Sequence, residues 1–409
     1  MKSLNVLYVS TLCSGRTFAR IFASSSVRPQ QQAQKFHSLL VKGLAAAGVK
    51  VDALSRPPVD HLNDQVFDID GVEIDKEDGG VSFRYLNVRG FSFLRHLRMF
   101  FDSFFWTIRW SFNNRSSDRF LICDVLNLSV SAGAFFAARL LGLRTVAVVT
   151  DLPDFLIFNR DALDFSSRVR SSIYKKLSNL VVEKYDLYMV LTEDINRVVN
   201  VRRVPHVVIE GMVDAGMKAL PNEIGNKYSE RVVLYAGALY EKFGVGTLLQ
   251  AFRTLPDENF RLWIYGAGDM EREIREAERS DCRIKYFGVV PNPEVVAEQL
   301  KVSLLINPRP SKEEFTRFSF PSKNMECMVS GTPLLTTRLP GMPCEYFPYV
   351  YFFDDESVSG MARTLSTILR LPIDELHQMG LSAKQFVIEN KNNEIQAIAL
   401  LRMLRSSLN

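Results

Sequence analysis

At 409 residues the chain is too long for one ordinary core, and two domains of roughly 200 residues each are expected. Hydrophobic residues make up 47 % of it, enough to pack both, while a formal charge of +4 is too small to mark a nucleic-acid binder. Five cysteines, at 13, 123, 282, 327 and 344, form no CxxC spacing and an odd count; they indicate neither a disulfide framework nor a zinc site and suit a reducing, cytoplasmic setting.

The charge is unevenly spread, with 27 basic and 21 acidic residues up to position 212 against 23 and 25 beyond it. The opening MKSLNVLYVS is too short an apolar run for a signal peptide and reads as a first strand. No run of apolar residues is long enough to span a membrane. Through the first half, NVLYVS, VKVDALS, VSFRYL, RFLICD, RTVAVVT, DLYMVLT and HVVIE alternate with helical patterns, which implies an α/β, doubly wound parallel sheet. After the first strand, TLCSGRTFARIFASS reads as a long polar loop without GxGxxG, which argues against a dinucleotide site. Gly15 and Arg16 in it are either a solvated turn or a ligand-facing loop. A helix is expected from about Gln31 to Ala47, closed by Gly48.

Residues 91–110, FSFLRHLRMFFDSFFWTIRW, place Phe93, Leu94, Leu97, Phe100, Phe101, Phe104, Phe105 and Ile108 at helical spacing, with Arg95, Arg98 and Asp102 off that face. Seven arginines against two acids between 84 and 119 make this stretch basic. Two readings stay open: the aromatics pack on the sheet as core, or the helix lies on an anionic membrane or lines a route for an anionic lipid-linked acceptor. Further on, TVAVVTDLPDF brings Asp151 to the carboxyl tip of a strand that Pro153 stops, so its carboxylate faces a ligand crevice and can orient an acceptor hydroxyl or take its proton. Asp154 is the second choice, and either residue is alternatively a helix cap. The polar KALPNEIGNKYSE reads as the linker.

The second half restarts the pattern with RVVLYAG, FRLWIYGAG, RIKYFG, KVSLLINP, TPLLTT and YVYFF, a second doubly wound sheet. YAGALYEKFGVGTLLQAF offers Gly237 for close backbone approach and Lys242 as a phosphate-binding charge; IYGAGDMEREI offers Gly266 and Gly268 after the next strand. The bland alternative is that these glycines only permit tight turns and that Lys242 is solvated. In FTRFSFPSKNMECMVSGTPLLTT, Pro321 and Gly331 bracket a helix to Ser330. Met325, Met328 and Val329 form its packing stripe, with Ser322 and Glu326 on another face. The last helical pattern runs from about Lys384 to Leu404.

Together, GALYEKFGVGTLLQAF, IYGAGDMERE, RIKYFGVV and FPSKNMECMVSGTPLLTT resemble glycosyltransferase family 4, above all bacterial enzymes of capsular and surface polysaccharide assembly. The resemblance implies a GT-B fold, two Rossmann-like domains with parallel sheets facing a central cleft. Residues 1–212 would bind the acceptor and 213–385 the nucleotide-sugar donor, with 386–409 a helix packing back on the first domain. It implies a retaining transfer from a nucleotide diphosphate sugar to a glycan or lipid-linked acceptor hydroxyl, with no cofactor or metal required, at the cytoplasmic face of a membrane. Carried over by position, Glu326 would hold the ribose hydroxyls, Ser322 and Lys323 would stand near the donor, and Lys242 would offset the leaving diphosphate's charge. The family's first glutamate is replaced by Phe318, leaving Glu313, Glu314 or Arg317 to take its contact with the sugar, and its turn arginine is Ala238. The diphosphate is thus met by Lys242 alone, by Arg317 or by Lys323. Two alternatives remain: an epimerase or hydrolase acting on the nucleotide sugar alone, and a non-catalytic nucleotide-sugar-binding relative.

Overall fold

The computed structural model describes residues 3–25, 29, 31–59, 72–75, 79–88, 92–152 and 176–408. The chain divides into two compact units, one of Met1–Met212 with Asn393–Asn409 and one of Val213–Asn392.

The first unit is built on β1 (Leu4–Ser10), β2 (Lys50–Ser55), β3 (Val72–Asp75), β4 (Val81–Tyr85), β5 (Asp118–Asp124), β6 (Arg144–Val149), β7 (Leu187–Val190) and β8 (His206–Val208). They lie in the order β3-β4-β2-β1-β5-β6-β7-β8. Every pairing is parallel except β3 with β4, an antiparallel edge. The seven expected strands are present; β3 is additional. The strand order reverses at β1, so the crevice between the carboxyl ends of β1 and β5 is where such a sheet takes a ligand. Central strands such as β1 are buried along almost their whole length, as continuous apolar runs in a parallel sheet must be.

Three expectations in this unit need correcting. The stretch after β1 is not a loop: Gly15–Ser24 is a helix, capped by Ser14, whose side chain accepts from Thr17 N. Its hydroxyl donates to Glu73 on β3 (2.8 Å), as do Thr17 Oγ1 (2.8 Å) and Tyr85 OH (2.9 Å). The carboxylate of the unexpected edge strand therefore anchors the helix start. Second, the pattern ending at Leu404 is two helices, Ile373–Asn390 and Asn393–Ser406, interrupted at Lys391 and Asn392. The second of these lies on the helix Gln31–Ala46, where a Cβ on Gly43 would stand 2.1 Å from Asn393 O.

Third, of the readings left open for the aromatic stripe of the helix Ser92–Asn113, packing as core holds only in part, with Phe100, Phe104 and Ile108 half-buried. Its buried side is Met99, Ser103, Thr107 and Trp110, and it packs on the helix Leu128–Leu140. The two backbones come so close that a Cβ on Gly133 would meet Phe100 O at 2.1 Å and Ser103 Oγ at 2.3 Å. Small residues permit that approach, and the large ones turn outward. Leu94, Leu97, Phe101 and Phe105 are exposed, Phe105 by 62 %.

The second unit's sheet holds β9 (Arg231–Ala236), β10 (Phe260–Tyr265), β11 (Ile284–Gly288), β12 (Leu304–Asn307), β13 (Leu334–Thr337) and β14 (Tyr351–Phe353), in the order β11-β10-β9-β12-β13-β14. All pairings are parallel, and all six expected strands are there. The order reverses between β9 and β12. The stretch read as a linker is bound to this unit: Asn222 Nδ2 donates to Ser330 O (2.9 Å) and Lys227 Nζ to Val302 O (3.0 Å).

Candidate functional site

In the second unit the reversal point is lined by the segments that follow β9 and β12. After β9 the chain turns at Gly237, and after β10 at Gly266 to Gly268. The two turns interlock through their main chains: Gly237 N donates to Tyr265 O (2.9 Å), Leu239 N to Ala267 O (2.9 Å) and Met270 N to Leu239 O (3.1 Å). A Cβ on Gly266, whose φ is +132°, would stand 1.7 Å from Gly237 O. No other residue type fits there. These two turns thus form one rigid backbone platform.

The helix Ser322–Ser330 begins beside it. Pro321 is its N-cap, with no side-chain cap, and Gly331 closes it at φ +79°. Met325, Met328 and Val329 are buried as the spacing predicts, while Ser322 is exposed and Glu326 half-buried. Lys323 reaches back to the platform: a Cβ on Gly237 would lie 3.0 Å from Lys323 Cε. The helix start is tied to the tip of β12 by a buried bond from Asn307 Nδ2 to Asn324 Oδ1 (2.7 Å). The sequence-derived residues Gly237, Gly266, Gly268, Lys323, Ser322 and Glu326 are therefore brought to one edge of this unit.

Lys242 sits in the short turn Glu241–Phe243, its Nζ 5.3 Å from the Phe243 ring centre. The same ring carries a second cation that the sequence did not disclose: the Arg309 guanidinium lies 4.8 Å from its centre and 5.4 Å from that of Phe315. Burial lowers the pKa of Arg309, and Tyr235 next to the platform acts on it electrostatically. Its Nε has no hydrogen-bond partner among the described residues. The only signal for it was one arginine between two prolines in INPRP, just past an apolar strand. Arg317 and Glu314 are exposed in the turn Glu314–Arg317, with Glu313 half-buried at its start.

In the first unit, Asp151 follows β6 and is half-buried. Burial first, and then the charge of Asp124 at the end of neighbouring β5, push it up to about 6. Asp124 belongs to a buried polar group the sequence reading missed. It accepts from Asn127 Nδ2 (2.6 Å) and Leu126 N (3.1 Å), and lies 3.5 Å from His37 Nε2. The other ring nitrogen of His37 is 2.6 Å from Tyr8 OH. Such a network holds Asp124 rigidly beneath the crevice. Asp154 lies outside the described residues. Gly15 and Arg16 are exposed in the first turn of the helix that Glu73 anchors. Arg98 pairs with Asp102 (3.6 Å) and donates to Asn87 O, while Arg95 is half-buried. Among the described residues no group of three or more His, Cys, Asp or Glu could hold a metal ion.

Residues 230–370 match the model of a family described as glycosyl transferases group 1. No curated protein sequence matches the chain significantly. Its fold is similar to that of a glycosyltransferase from Rickettsia africae, with a TM-score of 0.64, 12 % identity and 100 % and 99 % of the two chains covered. It is likewise similar to sucrose-phosphate synthase from Thermosynechococcus elongatus (TM-score 0.62, 14 % identity, 99 % of each chain). HepE from Anabaena, solved with UDP and glucose, gives a TM-score of 0.59 at 14 % identity over 98 % and 99 %. At these identities the likeness establishes the two-domain α/β fold.

Proposed function

From a chain that is a glycosyltransferase of GT-B fold, with a group 1 glycosyl transferases domain in its second unit, we propose that it moves a sugar from a nucleotide diphosphate sugar to a hydroxyl of a lipid-linked glycan. The donor is assigned to the second unit and the acceptor to the first. The observation that carries this is Lys323 against the Gly237 turn together with Lys242 and Arg309 on the shared Phe243 ring, with Glu326 one turn along the same helix as Lys323. A helix start without a side-chain cap and three cations suit a diphosphate; an ionised carboxylate suits a pair of ribose hydroxyls. HepE, of similar fold, holds UDP and glucose, which supports a nucleoside diphosphate as the donor's leaving part.

Transfer proceeds with retention. The acceptor oxygen bonds to C1 of the sugar on the face from which the diphosphate departs, and the bond between C1 and the phosphate oxygen breaks. The hydroxyl proton passes to a departing phosphate oxygen, while ionised Asp151 orients the acceptor hydroxyl. Lys242 and Arg309 offset the charge that accumulates on the diphosphate, so no metal is called for. The exposed aromatic face of Ser92–Asn113, with its arginines, supports work at the inner face of a membrane on surface polysaccharide precursors. No helix among the described residues is long and apolar enough to cross one.

The test is a thermal-shift screen of nucleoside diphosphates, followed by transfer assays with nucleotide sugars and bacterial lipid extracts. Binding to the native state must raise the melting point. If no nucleoside diphosphate does so, or if turnover needs no acceptor, transfer is the wrong reaction.

A further inference from the structure

Beneath its crevice the first unit buries three linked titratable side chains: Tyr8 on β1, His37 on the helix Gln31–Ala46 and Asp124 at the end of β5. Their contacts settle where the protons sit. Burial, and then the charge of Asp124, raise Tyr8 well above the usual phenol range, so its hydroxyl keeps its proton and donates to His37 Nδ1 (2.6 Å). His37 Nε2 then carries the ring proton and turns it toward Asp124 Oδ2 (3.5 Å). That oxygen also accepts from Asn127 Nδ2 (2.6 Å), while Oδ1 accepts from Leu126 N (3.1 Å). Both oxygens are held by donors, as those of an ionised carboxylate are. The line from Tyr8 thus ends on a fixed negative charge.

That charge has a carboxylate for a neighbour. Asp124 pairs in parallel register with Val148 of β6, and Val125 N donates to Val148 O (3.2 Å). Asp151 follows shortly after Val148, so the two carboxylates leave adjacent strand tips on one edge of the sheet. Groups so placed do not ionise independently. Asp124 is the one already matched by donors, and Asp151 is the one that yields: burial and then Asp124 act on it, both in the direction of holding its proton. The remaining titratable groups at Asp124 stay uncharged near neutral pH. Burial first raises Cys123, on the same strand, to about 12, and also raises Tyr185, just ahead of β7; Asp124 adds to both. The helix Leu128–Leu140, packed over β5, has Arg139 as its one charged residue, and that pairs with Asp186 (2.9 Å).

We propose that Asp124 is a positioning residue for transfer, whose fixed charge sets the pH above which Asp151 can hold the acceptor hydroxyl. The proposal rests on the role given to Asp151 in the previous section and adds the residue that controls it.

The test follows Asp151 directly, on the full chain without substrate. Side-chain carboxyl signals of protein labelled with carbon-13 aspartate are titrated by NMR, and Asp151 is identified as the signal that Asp151→Asn removes. Asp124→Asn should lower the midpoint of that signal by about half a pH unit or more, a threefold or larger loss of proton affinity. The acidic inflection of kcat/KM for transfer should move down by the same amount, and with Asp151→Asn already present Asp124→Asn should leave the profile unmoved. Tyr188→Phe, which removes a buried hydrogen bond to Val182 O from neighbouring β7, is the structural control. It should lower stability and leave both midpoints in place. Should Asp124→Asn not fold, Asp124→Ser decides instead, because a serine hydroxyl can still accept from Leu126 N.

An Asp151 midpoint unmoved by a folded Asp124→Asn would overturn the proposal. So would an equal shift in Tyr188→Phe, which would make the effect one of packing. A shifted midpoint with an unshifted transfer profile would overturn the role given to Asp151, and with it this use of Asp124, while the coupling of the two carboxylates stood. Absence of transfer from any nucleotide sugar would fail the reaction alone, since the titration needs no substrate.

Discussion

The two units solve the same problem, a helix starting beside the first strand's tip, in opposite ways. In the first, Ser14 caps Gly15–Ser24, and Glu73 takes the hydroxyls of Ser14, Thr17 and Tyr85. The positive end of that helix is answered within the fold. In the second, the helix Val245–Arg253 begins at Gly244 and Ser322–Ser330 at Pro321, neither with a side-chain cap. The first of these is nonetheless met by an acid, since a Cβ on Gly246 would stand 2.5 Å from a carboxylate oxygen of Glu241, whereas Ser322–Ser330 has Lys323 in its first turn and no acid there. One unit answers its helix start within the fold, and in the other only the start of Ser322–Ser330 is left uncapped and without an acid. The first unit's interacting carboxylates, Asp124 and Asp151, lie elsewhere, at the tips of β5 and β6.

The largest way to break this comparison is at the glycines. Gly266→Ala would drive a Cβ into Gly237 O, whereas Gly15→Ala would meet nothing within 4 Å. The first should abolish nucleotide binding and lower the second unit's stability by more than about 4 kcal/mol. The second should be neutral or stabilising by up to roughly 1 kcal/mol, from helix propensity. Denaturant unfolding of both variants checks the pair, and equal effects would deny that the platform is special.

Next in size, Glu326→Ala should cut transfer about 100-fold or more, since charged hydrogen bonds are worth roughly 1.5–3 kcal/mol each. Lys242→Ala should act in the same direction. Near-normal turnover with both variants folded would remove the donor assignment.

Arg309→Met separates ligand charge from packing. Loss of the guanidinium should weaken nucleoside diphosphate affinity about tenfold, while stability holds or rises, because a buried cation with an unmatched Nε is replaced by an apolar chain of similar reach. Lower stability together with unchanged affinity would make Arg309 a packing residue.

A further effect sharpens the first unit's role. Asp151 has its pKa raised to about 6, above the ordinary 3.8, so the folded chain binds more protons than the unfolded one between those values. Stability due to this group therefore falls as pH rises from about 4 to 6 and stays lower above that. Asp151→Asn should recover on the order of 2 kcal/mol at pH 7. Transfer should rise with pH through about 6 as the carboxylate ionises, and the variant should lose that inflection. A pH profile indifferent to Asp151→Asn would exclude it from the acceptor chemistry.

Much of this molecule could be read from its residues. The second unit's strands each carry a short apolar run, and Pro321 and Gly331 mark a helix whose buried stripe follows from spacing alone. What escaped did so for physical reasons. β3 is a four-residue edge strand of sequence VEID, without an apolar run, yet its Glu73 determines how the first helix starts. Arg309 becomes meaningful only when β12 sets it against Phe243. The aromatic helix shows why periodicity locates a face without saying which way it points. Its spacing was plain, but the direction was decided by Gly133 on another helix, which draws the Ser103 and Thr107 side inward.

The interlock of the Gly237 and Gly266 turns also bears on how such a protein can diverge. Its bonds run between amides and carbonyls, so they survive almost any exchange of neighbouring side chains. Side chains around it are thus free to change while the frame keeps its shape, in keeping with solved structures of similar fold that are 14 % identical to this chain over 98–99 % of its length.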